Sequence, residues 1–168
     1  MLQQSASSKP DQLTNGKIKL PQPKYDSNTS IEKALYKRRS IRAYKDDALT
    51  LVEVSQLLWA VQGITDLKEG LRTAPSAGAL YPLEVYIAIG NVKGLTKGVY
   101  KYKPQNHELV KVSSRDMRDE LFVASLEQAW VKEGAIVIVL STRSLSYSSK
   151  YLPASSFSKS WHSSCWSF

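Results

Sequence analysis

Three arginines lie within five residues of this chain, Arg38, Arg39 and Arg42, and Ser40 lies among them. An arginine presents a planar fork of donors that can bind a phosphate or a ring carbonyl at several points. Cations in the last turn of a helix are also favoured by the helix dipole, by about 0.3–1 kcal/mol, which explains one or two of these arginines. It does not explain Arg42, which lies beyond the predicted helix. On spacing alone, a helix end and a site for a phosphorylated ligand remain equally good interpretations.

A run of small residues follows further along the chain. It consists of Pro75, Ser76, Ala77, Gly78 and Ala79. Pro, Ser and Gly are common in tight turns, so a turn is one interpretation. The other is a flat surface of small residues, over which backbone N–H and C=O groups can approach a planar ligand closely. Taken with the arginines, this run favours a phosphorylated planar ligand.

The elements that must position these two segments can be predicted from periodicity. Residues 50–63 form the clearest helix, because Thr50 and Glu53 make a capping box and apolar residues follow a helical spacing. A shorter helix begins at Thr29, with Glu32 as the second member of its predicted capping box. Strands are predicted at 83–90, 98–102, 108–112 and 135–140, the last buried on both faces, and a helix at 114–130. This order predicts an α+β layered domain.

Composition bounds the class of protein. The 168 residues suffice for one domain, and 42% apolar with 23% charged residues is ordinary for a soluble globular protein. No signal peptide or membrane span is evident, and one cysteine, Cys165, suits a reducing cytoplasm. The net charge of +8 raises nucleic acid as a partner, but acids and bases alternate over most of the chain. No metal-ligand or general-base cluster is present, since His107 lies in a turn and His162 in the tail.

The chain divides into three parts. Residues 1–28 are predicted to be a flexible N-terminal arm, extended near 18–24, and residues 29–140 the main domain. Residues 141–168 are rich in serine, contain no acid, and show neither helical nor strand period. We expect this tail to be poorly ordered or unstably packed, leaving apolar surface exposed near 135–140.

Three stretches together resemble the FMN-dependent nitroreductase superfamily, closest to its SagB-type dehydrogenase branch. They read TSIEKALYKRRSIRAY at 29–44, LTLVEVSQLLWAVQG at 49–63 and RTAPSAGALYPLEVY at 72–86. The resemblance covers about residues 18–140 and implies an α+β sandwich whose protomers interlock as a homodimer, with two FMN molecules at the interface. The family's later segments have no counterpart in the tail, so the resemblance also implies a fold that is incomplete at its C-terminus.

The resemblance implies a role for individual residues. Arg38, Arg39, Ser40 and Arg42 would bind the FMN phosphate, the ribityl chain and the pyrimidine edge of the ring. Pro75, Ser76, Ala77, Gly78 and Ala79 would lie against the isoalloxazine of the partner subunit, with Leu80 nearby. Gln128 would reach the flavin with its amide, although an exposed helical glutamine is nearly as good an interpretation.

The implied activity is two-electron oxidoreduction of a small-molecule substrate through FMN, with NADH or NADPH as electron donor. No protein side chain is expected to be catalytic, because the flavin carries the chemistry. Two alternatives stay open. One is a truncated, non-catalytic relative with weak or no flavin binding, and the other is a small basic module that binds anions or nucleic acid.

Overall fold

The fold is built on a six-stranded antiparallel sheet. The computed structural model describes residues 16–142 and, for backbone alone, residues 164–167. The strands lie in the order β1-β6-β5-β4-β7-β8. Their bounds are Lys17–Lys19 (β1), Leu83–Ile89 (β4), Gly98–Lys103 (β5), Glu108–Ser113 (β6), Ile136–Thr142 (β7) and Ser164–Ser167 (β8). A separate hairpin joins Ile64–Asp66 (β2) to Leu71–Arg72 (β3). The predicted strands are therefore present within a residue or two of their expected bounds.

The central strands β4 and β7 are buried on both faces, as the sequence of 135–140 predicts. Successive side chains of a strand point to opposite faces. Accordingly, Ile87 and Ile138 belong to a large core cluster on one face, while Ala88 and Val137 belong to a smaller cluster on the other. This two-sided burial explains why both strands read as almost continuous apolar runs.

One helix, Leu51–Gln62 (α2), packs on the face of the sheet that holds the large cluster. Its capping box is formed as predicted, since Thr50 Oγ1 accepts from the Glu53 amide and the Glu53 carboxylate accepts from Thr50 N. Val54 and Leu58 are fully buried against the sheet. The helix ends at Gly63, also as predicted.

Two helices differ from their predicted form. The helix Ile31–Lys37 (α1) is capped by Ser30, whose hydroxyl accepts from Lys33 N, and not by Thr29. The single helix predicted at 114–130 is instead two, Arg118–Ala124 (α3) and Ala129–Glu133 (α4), on the face of the smaller cluster. The chain breaks between them because Leu126 and Glu127 adopt left-handed backbone conformations, with φ of 60° and 56°, which a helix cannot contain.

Part of the predicted N-terminal arm belongs to the domain. The extended conformation near residues 18–24 is correct for β1, but β1 pairs with β6, and Leu20 is buried in the large cluster. Further on, the backbone of Lys24 exchanges two hydrogen bonds with the side-chain amide of Gln56 on α2. The domain therefore begins before residue 29.

Two features of the described residues differ from what was expected of the tail. Residues 164–167 form β8, which pairs antiparallel with β7 from Val137 to Leu140. Ile136, Val137 and Ile138 are at most 1% exposed, so no apolar surface is exposed at these three residues, while Val139 and Leu140 are half-buried. A serine-rich sequence can still form a strand, because the hydrogen bonds of an edge strand come from its backbone. The remainder of the tail lies outside the described residues.

Candidate flavin site

The arginine segment follows directly after α1 and is exposed. Arg38 is the C-terminal cap of α1, and Ser40 and Arg42 come after it on extended chain. Arg39 donates from Nη1 to the carbonyls of Tyr36 and Arg38, at 2.9 and 2.8 Å. Arg39 therefore satisfies carbonyls at a helix end, which was the simpler of the two interpretations. The Arg38 guanidinium and the Ser40 hydroxyl make no hydrogen bond within the described part of the chain.

Arg42 contacts a tryptophan on α4. Its guanidinium lies over the ring of Trp130, 5.1 Å from the centroid, which is within the range of a cation–π contact. Trp130 belongs to α4, whose N-terminal cap is Gln128, and the Gln128 side chain is exposed and makes no capping hydrogen bond. The structure thus brings Arg42 to α4, the helix that Gln128 caps, although the two segments are far apart in sequence.

The run of small residues forms a loop with an unusual backbone. Ala77–Ala79 make one 3₁₀ turn, and the conformation is left-handed at Gly78 (φ 62°), Ala79 (φ 51°) and Tyr81 (φ 44°). Only glycine adopts this region without cost, so Ala79 and Tyr81 store strain of the kind found at binding sites. Pro75, Ala77, Gly78 and Ala79 are exposed, and Ser76 and Leu80 are half-buried. The loop therefore presents backbone and small side chains at its surface.

Hydrogen bonds from neighbouring elements hold the strained loop. Within it, Ser76 Oγ accepts from Tyr81 N at 2.9 Å. The Tyr81 hydroxyl in turn accepts from the backbone N–H of Arg72 in β3. Thr73 is tied to the end of α2, through its amide to the Gly63 carbonyl and its hydroxyl to the Trp59 carbonyl. The loop is thereby fixed to β3 and to the C-terminal end of α2.

No hydrogen bond joins the arginine segment to this loop within the described part of one chain. Sequence reasoning missed Arg72 and Tyr81, which position the loop. The available signal was that both immediately flank the small-residue run.

The described residues contain neither a candidate metal site nor a candidate membrane-spanning helix. Nowhere in residues 16–142 do three or more His, Cys, Asp or Glu side chains meet closely enough to hold a metal ion. None of the helices described above has the length and apolar character to cross a membrane.

Comparison with known proteins gives a consistent family. The profile of the Nitroreductase family matches residues 35–165. A curated relative named "Putative nitroreductase", from Methanocaldococcus jannaschii, is 43% identical over 110 residues, covering 66% of this chain and 55% of the relative. Indigoidine synthase of Dickeya dadantii is 41% identical over 71 residues, covering 41% of this chain and 5% of that protein. The chain thus spans about half the length of the first relative and a small part of the second.

Solved structures agree on the fold. A structure titled as a putative nitroreductase, from Anabaena variabilis, superposes with a TM-score of 0.65 at 30% identity, covering 80% of this chain and 28% of that chain. Another with the same description, from Ralstonia eutropha, gives a TM-score of 0.68 at 24% identity, covering 90% of this chain and 65% of that chain. The second likeness concerns the fold alone. The fold is the nitroreductase-like α+β fold predicted from the sequence, and the chain belongs to the Nitroreductase family.

Proposed function

We propose that this chain is an FMN-dependent oxidoreductase, or part of one, that takes electrons from NADH or NADPH and acts on a small molecule. The observation that carries the proposal is the strained loop at residues 75–81, together with the exposed Arg38 guanidinium and Ser40 hydroxyl, which have no hydrogen-bond partner among the described residues. Bound flavin would supply the two-electron redox chemistry, while the protein supplies binding and orientation. Membership of the family supports the proposal.

The residues present fit a flavin mononucleotide by their chemistry. Guanidinium groups at Arg38 and Arg42, with the Ser40 hydroxyl, form a donor set suited to a phosphate and to electron-rich ring carbonyls. The surface at Ala77 and Gly78 has no large side chain that would keep a planar ring from the backbone. Gln128 would add an amide next to Arg42. Each of these roles is a proposal.

The arginines are tested by flavin titration. Arg38→Ala with Arg42→Ala should weaken FMN binding by about 3 kcal/mol, since each charge-assisted hydrogen bond contributes about 1.5 kcal/mol. The matched control is Lys97→Ala with Arg115→Ala, which removes two exposed cations elsewhere. Quenching of FMN fluorescence measures the affinity. An affinity that falls equally in both double variants would show a general charge effect and contradict the site.

The loop is tested by adding bulk where the ring should pass. Gly78→Val should abolish FMN binding, both because valine blocks the surface and because a β-branched residue resists φ near 62°. Gly94→Val is the control, because Gly94 also has positive φ, at 82°, and has no atom within 4 Å of an added Cβ. The far-ultraviolet circular dichroism of both variants should match the parent. Retention of FMN by a folded Gly78→Val protein would refute the proposed surface.

We also propose that a second copy of the chain covers α1. This helix has no buried residue of its own. Five large apolar side chains on and around it are at least 67% exposed: Tyr25, Ile31, Leu35, Tyr36 and Ile41. Such a patch marks an interface in a soluble protein. A homodimer with the flavin between subunits, as the family resemblance implies, would cover it and bring the arginine segment to the partner's loop.

The molecular mass of the protein in solution tests the proposed dimer. Leu35→Glu places a charge in the patch and should shift the parent from dimer to monomer in sedimentation equilibrium. Val123→Glu is the matched control, because Val123 is a similarly exposed apolar residue on α3, with 66% exposure. A monomeric parent, or equal dissociation of both variants, would contradict this interface.

The finer assignment to the SagB-type branch rests on the order and content of the three stretches at 29–44, 49–63 and 72–86. We propose it as the branch to test first. Purified protein with bound FMN should be assayed both for reduction of nitroaromatics or quinones by NADH or NADPH and for oxidation of an azoline-containing peptide. Activity on the azoline peptide alone would support the branch, whereas nitroaromatic reduction alone would contradict it.

A further inference from the structure

A cavity of about 160 Å³ lies between the small-residue loop and the sheet. Its walls come from β3, from the loop, and from adjoining ends of β4 and β5. The charged residues that line it are three cations, Arg72, Lys101 and Lys103, and one carboxylate, Glu84. An engineered apolar cavity of about 150 Å³ holds a benzene molecule, so the space suits a ligand the size of one aromatic ring.

The carboxylate is committed to one of the cations. Glu84 Oε1 lies 2.7 Å from Lys101 Nζ, and Glu84 Oε2 accepts from the Tyr86 hydroxyl at 2.9 Å. Burial lowers the pKa of Lys101, but its hydrogen bonds to Glu84 and Tyr86 outweigh that effect and raise it, so Lys101 stays charged. The pair is close to neutral as a unit. The net positive charge of the cavity therefore comes from Arg72 and Lys103.

Arg72 has donor capacity left over. Its Nη1 donates to Gln62 Oε1 at 3.2 Å, and its guanidinium stacks on the Tyr81 ring, 4.6 Å from the centroid. Its Nε is buried and has no acceptor among the residues that the structure describes. A buried donor without an acceptor is costly, by about 1–3 kcal/mol, and native proteins rarely keep one without a ligand or other partner. Lys103, which lines the cavity from β5, forms no ion pair within the described residues.

We propose that this cavity binds a small organic oxyanion, a carboxylate or a phosphate, through the Arg72 guanidinium and the Lys103 ammonium. A planar guanidinium pairs with either kind of oxyanion through two donors, and an ammonium adds a point charge beside it. The walls formed by Leu83 and Val85 can contact the apolar part of the ligand.

The cavity is also connected to the proposed flavin surface. The Arg72 backbone amide donates to the Tyr81 hydroxyl, and the Arg72 guanidinium lies over the Tyr81 ring. Tyr81 is the last residue of the strained loop. A ligand on Arg72 therefore lies beside the loop that begins at Pro75. On this basis the substrate class is an organic acid or phosphate ester; this last step rests on the proposed function, whereas the anion site does not.

The experiment is a calorimetric titration of the full 168-residue chain, without flavin and at low ionic strength. The probes are benzoate and phenyl phosphate, and benzamide is the uncharged control of similar shape. Benzoate or phenyl phosphate should bind at least about tenfold more tightly than benzamide, the factor that one charge-assisted hydrogen bond contributes. The tighter of the two anions identifies the natural oxyanion as carboxylate or phosphate.

Variants locate the site. Arg72→Gln and Lys103→Gln should each weaken the anion by about tenfold. Lys97→Gln, at the opposite end of β5, should leave it unchanged. Lys103 is partly exposed, so the Lys103→Gln variant is expected to fold. It therefore tests the anion site even if Arg72→Gln fails to fold. Equal binding of benzamide and both anions, or equal affinities in Lys103→Gln and Lys97→Gln, would overturn the proposal. The titration measures the heat of anion binding in the absence of flavin. A negative result would therefore refute the anion site without bearing on the FMN proposal.

Discussion

The imidazole of His107 joins three parts of the chain, and its removal should destabilise the domain. Nε2 lies 3.0 Å from the Pro21 carbonyl and 2.7 Å from Ser55 Oγ on α2. Nδ1 lies 2.8 Å from the Tyr102 hydroxyl on β5. Burial raises the pKa of Tyr102 to about 12, so the phenol keeps its proton and can donate to Nδ1. The neutral ring then carries its proton on Nε2, facing Pro21.

We expect His107→Asn to lower the free energy of unfolding by about 2–4 kcal/mol at pH 8. Asparagine tolerates the left-handed backbone of this position, where φ is 46°, so the turn itself is retained. The buried Tyr102 hydroxyl loses its partner, which costs about 1–3 kcal/mol, and the hydrogen bond to Pro21 contributes about 1 kcal/mol more.

The same geometry predicts a pH dependence with a definite sign. Burial lowers the pKa of His107 below its ordinary 6.5, the hydrogen bond to Pro21 opposes this, and the charge of Lys19 adds to the lowering. The unfolded chain therefore binds more protons than the folded one as pH falls through 6.5, and stability decreases with it. One proton limits the slope to about 1.4 kcal/mol per pH unit, and partial exposure of the ring makes the total smaller.

Urea unfolding followed by circular dichroism, between pH 8 and 5.5, measures both effects. His107→Asn should start less stable and lose less stability over this range than the parent. Tyr102→Phe with His107→Asn completes a double-mutant cycle, in which the two changes should cost less together than the sum of each alone. A His107→Asn protein within about 0.5 kcal/mol of the parent, or one with the same pH slope, would refute the reasoning.

Three other stability predictions follow from the same packing, each measured by urea unfolding. Leu58→Ala should cost about 2–5 kcal/mol because Leu58 is fully buried, whereas the same change at the exposed Val52 should cost under about 1 kcal/mol. Thr50→Ala should cost about 1 kcal/mol by removing the cap of α2, and Thr50→Ser should recover most of it. Gly90→Ala should cost about 1–3 kcal/mol, since its Cβ would clash with the Arg118 guanidinium, which hydrogen bonds to Asp116 and the Gly134 carbonyl hold in place; Arg118→Ala in the same chain should abolish this clash-dependent part.

Sequence patterns predicted two kinds of element correctly. One kind is stabilised by residues close together in the chain, and the other is a strand buried on both faces of the sheet. The capping box at Thr50 depends on residues three apart, so it can be read directly from the sequence. The strand at Ile136–Thr142 depends on an apolar run that only a doubly covered strand needs. In both cases one segment carries all the information that its structure requires.

Features that depend on distant partners were missed. Leu126 follows the apolar spacing of the predicted helix but is 88% exposed, because the chain breaks there. The inclusion of Leu20 in the core depends on the pairing of β1 with β6, which lies almost 90 residues later in the chain. The same holds for the candidate site, where Arg42 contacts Trp130, a residue from a distant part of the chain.

The proposed site and the stable core occupy different parts of the molecule, and this separation has a physical basis. The core is made by α2 and the central strands, whose side chains are fully buried. The arginine segment and the loop after Gly78 bury little of their own surface, and the loop keeps a strained backbone. Strain of this kind persists only when surrounding structure determines it, here through Arg72, Thr73 and the end of α2. A rigid scaffold can therefore hold an exposed surface ready for a ligand, so changes in the loop should alter binding far more than they alter stability.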